Sequence, residues 1–301
     1  MKPIKSLAEA ELTGKMVLVR GDFDVDDGNN PRANSIRELV NWLISKNAGV
    51  IRVIGHSETS YDLAAQLKTE FPKVGFDAGI RKDPREKENN MGFAEELADR
   101  WDVYINEAFA TSHRKHTSIM MLPQVFKRDN KEVYIGFRFE KELEMLDKVS
   151  LSLSQSLRSV LVIGGVKIDD KQKFAEDMGA KFSAVLKGGL LPGVDLRPDG
   201  LDLSDEAIFE YCRVISEAEV ILAAGVMGKY EDPGAAKGTK AILEAIANNT
   251  NAYKVAGGGD IEMAISTYGL AEKFDWISVG GGAMLVYLGS GTLPGLEAVA
   301  V

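Results

Sequence analysis

Five apolar runs in the second half of the chain end in glycine, at Gly164–Gly165, Gly188–Gly189, Gly225, Gly257–Gly259 and Gly280–Gly282. Glycine there lets backbone N–H groups approach a ligand closely. A helix that starts just beyond presents unpaired N–H groups and the positive end of its dipole, which is chemistry for phosphate. One such cluster is equally a tight strand-to-helix turn, but several on one sheet edge favour a nucleotide. Lys167 and Lys171 follow the first cluster four residues apart. On a helix start both ammonium groups reach one side and suit phosphate as point charges. Two solvated helix lysines would have the same spacing. Asp260 directly follows GGG, where a carboxylate could hold Mg²⁺ or its waters, or cap a helix starting at Ile261. The sequence has no GxxxxGK[ST], and no GxGxxG after a strand with an acidic residue about 20 positions on. Walker-type sites and dinucleotide oxidoreductases are disfavoured.

The first half carries different chemistry. Asp22 and Asp24 follow a strand, Arg32 sits in a turn-rich loop, His56 ends a strand and Arg81 lies in GIRKDPRE. His113, Arg114 and His116 lie in the loop after a third strand. All three histidines of the chain therefore sit at strand ends, in company with arginines. That combination suggests a basic pocket for a small polyanion. The H-x-x-H spacing of His113 and His116 also suits a metal, but no third ligand is evident beside it.

The elements that must position these residues follow from hydrophobic periodicity. In the first half, strands are expected at 16–25, 49–56 and 103–109, and helices at 35–47, 61–70 and 93–101. A charged helix over 140–151 is a natural connector. Beyond it the pattern restarts, with strands at 159–165, 182–189, 219–225, 251–260 and 276–283 and helices at 169–178, 204–217, 235–248 and 261–268. Near-continuous apolar strands mark a parallel sheet covered on both faces. The expectation is an α/β chain of two Rossmann-like three-layer domains, 1–145 and 146–301, joined by a helical hinge. The last few residues are free in this reading to pack back on the first domain.

With 301 residues, 45% hydrophobic and 27% charged, the composition excludes a disordered chain, a coiled coil or a fibre. A net charge of −9 gives no overall field for nucleic acid or an anionic membrane. The single cysteine, Cys212, excludes an internal disulfide and a cysteine-based zinc site. It reads as a small packing residue of a helix. No secretory signal or run of 18 apolar residues is visible, so the chain is expected to be cytoplasmic.

Six motifs of one known family stand in order along the chain. VLVRGDFDV resembles VLVRxDFNV, and DVYINEAFATSHRKHTSI resembles DVYVNDAFGTAHRxHAS. IGGVKIDDK, AAGVMGKYEDPGAAKGT, VAGGGDIEMA and FDWISVGGGAMLVYLGSGTLPGLEA match further family motifs in family order, from residue 16 to 298. With these motifs the chain resembles the phosphoglycerate kinase family, and the resemblance implies reversible phosphoryl transfer between Mg-ATP and the carboxylate of 3-phosphoglycerate, giving ADP and 1,3-bisphosphoglycerate. It implies a monomer whose halves close about a hinge, an N-terminal half that holds the glycerate and a C-terminal half that holds Mg-nucleotide. By motif, Asp22, Asp24, Arg32, His56, Arg81, His113 and Arg114 would line the glycerate site. Arg32, Lys167, Gly259 and Gly282 would serve catalysis. Gly165, Lys167, Lys171, Gly188, Gly189, Gly225, Glu231, Gly258, Gly259, Asp260 and Gly281 would serve ATP or ADP, with Asp260 on Mg²⁺.

The departures from the family pattern are specific. The chain is roughly a quarter shorter than expected for the family, and most of the loss falls between His56 and Arg81. The family loop SHLGRP reads GHSETS, so its arginine is absent. Asp24 stands for Asn, Ala224 for Asn, Val226 for Pro, Ile261 for Thr and Val279 for Thr. Two alternatives stay open at this point: a related kinase for another small carboxylate, and a non-catalytic nucleotide-binding relative.

Overall fold

A computed structural model describes residues 3–25, 27–57, 62–155, 157–166 and 168–300. Lys167, expected above to be catalytic, lies outside the described residues. The chain divides into two units, Met1–Leu143 with Gly291–Val301, and Glu144–Ser290. The final segment thus belongs to the first unit, where Gly295 N donates to Ser112 O (2.9 Å) and Lys127 Nζ to Ala300 O (2.7 Å).

The first unit runs β1 (Met16–Arg20), α1 (Pro31–Ser45), β2 (Val50–Ile54), α2 (Leu63–Glu70), β3 (Gly75–Asp77), α3 (Met91–Ala98), β4 (Val103–Asn106), α4 (Leu122–Arg128) and β5 (Glu132–Ile135). Its strands lie in the order β3-β2-β1-β4-β5, all parallel. Strand order reverses between β1 and β4, and ligands of such sheets bind beyond the strand ends at that reversal. Periodicity alone predicts three strands here. The two further ones, β3 with its sequence GFD and β5 with EVYI, are too short to show it. Between His56 and Arg81, the described residues include α2 and β3. Val17, Val19, Ile51, Val53, Val103 and Ile105 form one face of the sheet and pack on Ile36, Leu39, Val40 and Leu43 of α1.

Helix α5 (Phe137–Ser154) contains the division between the units. The second unit follows with β6 (Ser159–Ile163), α6 (Asp169–Met178), β7 (Ala184–Lys187), α7 (Asp205–Ser216), β8 (Val220–Ala224), α8 (Lys237–Asn248), β9 (Tyr253–Gly257), α9 (Gly259–Thr267), β10 (Trp276–Ser278) and α10 (Gly281–Ser290). Helix α11 (Pro294–Val299) returns to the first unit. The second sheet is also parallel, in the order β10-β9-β8-β6-β7, and reverses between β6 and β8. β6 and β8 are buried along their whole length. That explains why their sequences are unbroken apolar runs. Cys212 sits on α7, half-buried against the core of this unit. No helix among the described residues is long and apolar enough to cross a membrane.

Candidate active site

In the first unit, the end of β1 organises the charged residues. Asn30 caps α1 by accepting from Arg32 N (3.0 Å), and Pro31 starts the helix, so Arg32 stands in its first turn. Its Nη1 donates to Asp24 O (3.0 Å) and lies 3.5 Å from Asp22 Oδ2. Asp22 is buried and accepts from Asp24 N (3.2 Å). The loop after β1 is thus tied to the start of α1, and the tie carries Arg32.

A second group lies at the ends of β2 and β4. His56 is buried just past β2 and bridges to Gly79. Arg81 follows in a single 3₁₀ turn, Ile80–Lys82. His113 is half-buried and Arg114 exposed, in the loop after β4. Burial holds the His56 imidazole down to about 3, reinforced by Arg20, Arg81, His116 and Arg114. Burial with Arg20, Arg114 and Arg81 holds His116 down to about 4. Both rings are neutral at physiological pH. The H-x-x-H pair is not the metal-like arrangement. His116 comes together with His56 and Glu86, which sequence spacing did not reveal.

In the second unit, the glycines at the strand ends are close-packed rather than merely flexible. Gly165, Gly189, Gly225 and Gly258 have φ of +100°, +60°, +120° and +119°. A Cβ on Gly225 would strike Gly164 O, one on Gly189 would strike Gly165 N, and one on Gly281 would lie 2.7 Å from Gly258 Cα. The last contact places the N-termini of α9 and α10 side by side. Helix α9 begins at Gly259, with Gly258 as its cap residue and no side-chain cap. The expected start at Ile261 with Asp260 as N-cap is therefore corrected. The positive φ of Gly258 turns the chain into the helix earlier, and Asp260 is left exposed in the first turn.

Lys171 Nζ donates to Gly164 O. A Cβ on Gly165 would lie 2.9 Å from Lys171 Nζ and 3.9 Å from Asp260 Oδ2, so an ammonium and a carboxylate flank that glycine. Beside them is a cavity of about 370 Å³ with apolar walls from Leu190, Leu196, Leu201, Val226 and Met227, and with Glu231 and Asp260 at its polar side. A flat apolar group fits such walls, and an anion fits the glycine-lined edge. Gly188 abuts Met227 and shapes the same edge.

The sequence profile of the family described as phosphoglycerate kinase matches residues 78–194 and 193–290. The chain belongs to the phosphoglycerate kinase family. Its activity is accordingly that of a phosphotransferase of this family. The phosphoglycerate kinase of Bdellovibrio bacteriovorus is 28% identical over 397 aligned residues, covering 99% of this chain and 97% of that one. That of Chlamydia trachomatis is 28% identical over 396 residues, covering 97% of each. Against 301 residues here, these spans leave roughly a quarter of the aligned positions without a residue in this chain. The fold is that of the phosphoglycerate kinase from Pyrococcus horikoshii (21% identity, TM-score 0.79, covering 97% and 98%). It is also that of the Coxiella burnetii protein (19%, 0.77, 99% of each).

Proposed function

We propose that this chain transfers a phosphoryl group reversibly between Mg-ATP and the carboxylate of 3-phosphoglycerate. The observation that carries the reading is the family match, which runs through the glycine-rich strand ends of the second unit. A carboxylate is already a nucleophile at neutral pH, so the chain needs no general base. What it must supply is position and positive charge for the migrating phosphoryl group.

In this reading Arg32 meets the substrate carboxylate and the transferred group, and Asp22, Asp24, His56, Arg81, His113 and Arg114 line the glycerate. Lys171 and the amides of Gly165, Gly188, Gly189 and Gly225 hold nucleotide phosphates. The N-termini at Gly258, Gly259, Gly281 and Gly282 receive the transferred phosphoryl oxygens. Glu231 borders the nucleoside. The donor set also fits Mg²⁺. Asp260 is an exposed hard-oxygen ligand beside the phosphate edge, and this ion takes one or two carboxylates together with substrate phosphates and water. When bound, the ion offsets phosphate charge. Lys167 joins this assignment by motif. Hinge closure, a monomeric state and a cytoplasmic location belong to the same proposal.

A coupled assay with Mg-ATP and 3-phosphoglycerate tests it. Turnover is the expected result and would show that the arginine missing from GHSETS is dispensable or replaced. No turnover with ADP binding intact would move the reading to another carboxylate or to a binding role.

A further inference from the structure

Behind the histidines of the first unit lies a pair of opposite charges that the substrate assignment leaves unused. The side chains of Arg20 and Glu86 are both fully buried. Ser118 stands between them. Arg20 Nε donates to Ser118 Oγ (2.9 Å), Ser118 Oγ donates to Glu86 Oε1 (2.6 Å), and Ser118 N donates to Glu86 Oε2 (2.9 Å). Ser118 belongs to a turn of π-helix, Thr117–Met121, and its carbonyl accepts from Tyr104 Oη (2.7 Å). Such wide turns are rare and cluster at functional sites. Buried charges persist when they are paired and hydrogen-bonded, and here each partner fixes the other through one serine.

The far end of Arg20 decides the state of His56. Arg20 Nη2 lies 3.2 Å from His56 Nδ1. A guanidinium has donors only, so Nδ1 accepts and the proton of the neutral ring resides on Nε2. Arg20, Arg81, Arg114 and His116 surround this ring, and Glu86 is the carboxylate of the same cluster.

We propose that Arg20, Ser118 and Glu86 are positioning residues for His56: they hold its Nδ1 as an acceptor and so keep an Nε2–H donor ready for an anionic oxygen of the bound acid. The proposal rests on the assignment of His56 to the glycerate site. His56, Glu86 and His116 also bring ligand atoms within 4.8 Å of one another, a spacing that a transition metal could use. The surroundings oppose a cation. Three arginines act on both histidines, Arg20 occupies His56 Nδ1, and both Glu86 oxygens are engaged by Ser118.

The test uses the full chain with ¹⁵N-labelled histidine, the His56 signals being assigned by their loss in His56→Gln. Long-range ¹H–¹⁵N spectra are recorded at about pH 7.5 and about pH 5.5, on either side of the ordinary histidine pKa. The Nε2–H tautomer alone is expected at both. An Nδ1–H tautomer, a mixture or an imidazolium overturns the proposal, as does a joint shift of His56 and His116 on adding one equivalent of Zn²⁺. The paired variant Arg20→Met/Glu86→Gln removes both charges, so neither is left unpaired. It is expected to show mixed tautomers, with KM for 3-phosphoglycerate raised about tenfold and kcat changed less than about twofold. An unchanged tautomer, or an unchanged KM, overturns the role. If the wild-type chain shows the expected tautomer but does not turn over 3-phosphoglycerate, the functional reading fails while the positioning of His56 stands.

Discussion

The carboxylate of Glu107 fills the space that a side chain on Gly136 would need. A Cβ at 136 would lie 2.7 Å from Glu107 Cδ and overlap Oε2 outright. Glu107 sits just beyond β4 and Gly136 just before α5, so this contact sets the approach of α5 to the sheet. Gly136→Ala is expected to cost about 1–3 kcal/mol by overpacking. Adding Glu107→Ala should recover part of that loss. Urea unfolding of the two single variants and the double variant measures the coupling, and strictly additive effects would refute the shared-space account.

Glu107 also predicts a pH dependence. Burial pushes its carboxyl up to about 8, against an ordinary 4.5, although Arg138 N donates to Oε1 (3.2 Å). The folded chain therefore keeps a proton that the unfolded chain releases above about 4.5. Stability from this group is fully present below that pH and is lost as pH rises toward 8. Glu107→Gln keeps the shape and removes the titration. Its advantage over wild type should grow between pH 5 and 8, reaching an order of 2–4 kcal/mol. Parallel stability curves for the two proteins would exclude the raised pKa.

Gly225 should separate nucleotide from glycerate. Its φ of +120° and its contact with Gly164 O leave no room for a methyl group. Gly225→Ala is expected to weaken ADP binding by about tenfold or more. Calorimetry with 3-phosphoglycerate should give a value within about twofold of wild type, because the residues proposed for the glycerate lie in the other unit. Equal losses for both ligands would mean general misfolding rather than a local clash.

Arg32 should matter for turnover far more than for folding. Its side chain is 24% exposed, donates to Asp24 O and lies 3.5 Å from Asp22 Oδ2. Arg32→Lys keeps a charge but loses the planar fork. A kcat lower by about 100-fold, with stability changed by less than about 1 kcal/mol, is the expected pattern. A kcat within about threefold of wild type would remove Arg32 from the transfer step.

Much of this architecture was legible because long apolar runs and glycine clusters are local signals. Helix α6 begins and ends where periodicity puts it, at 169 and 178. β3 was not legible, because three residues carry no alternation. Nor was α4, whose LPQVFKR is short and begins around a proline. Glu86 was invisible for a different reason. It meets Ser118 and His116 from about 30 residues away and His56 from the other side, so only the fold brings the cluster together. The two lysines after the first glycine cluster were visible by spacing, and the structure accounts for one of them: Lys171 closes on Gly164 O.

Asp24 stands where the family pattern has asparagine, and it is half-buried beside Asp22 and Arg32. Its negative charge opposes an anionic acid, and two unit charges at 4 Å interact by about 1 kcal/mol in water and about 4 at an effective dielectric of 20. Asp24→Asn keeps the size and removes that charge. KM for 3-phosphoglycerate is expected to fall about threefold to tenfold at low ionic strength. The gain should shrink at high salt, where exposed charges are screened, and KM for Mg-ATP should not move. If KM for the acid rises instead, the Asp24 carboxylate is accepting a hydrogen bond from a substrate hydroxyl, and the charge is retained for that contact.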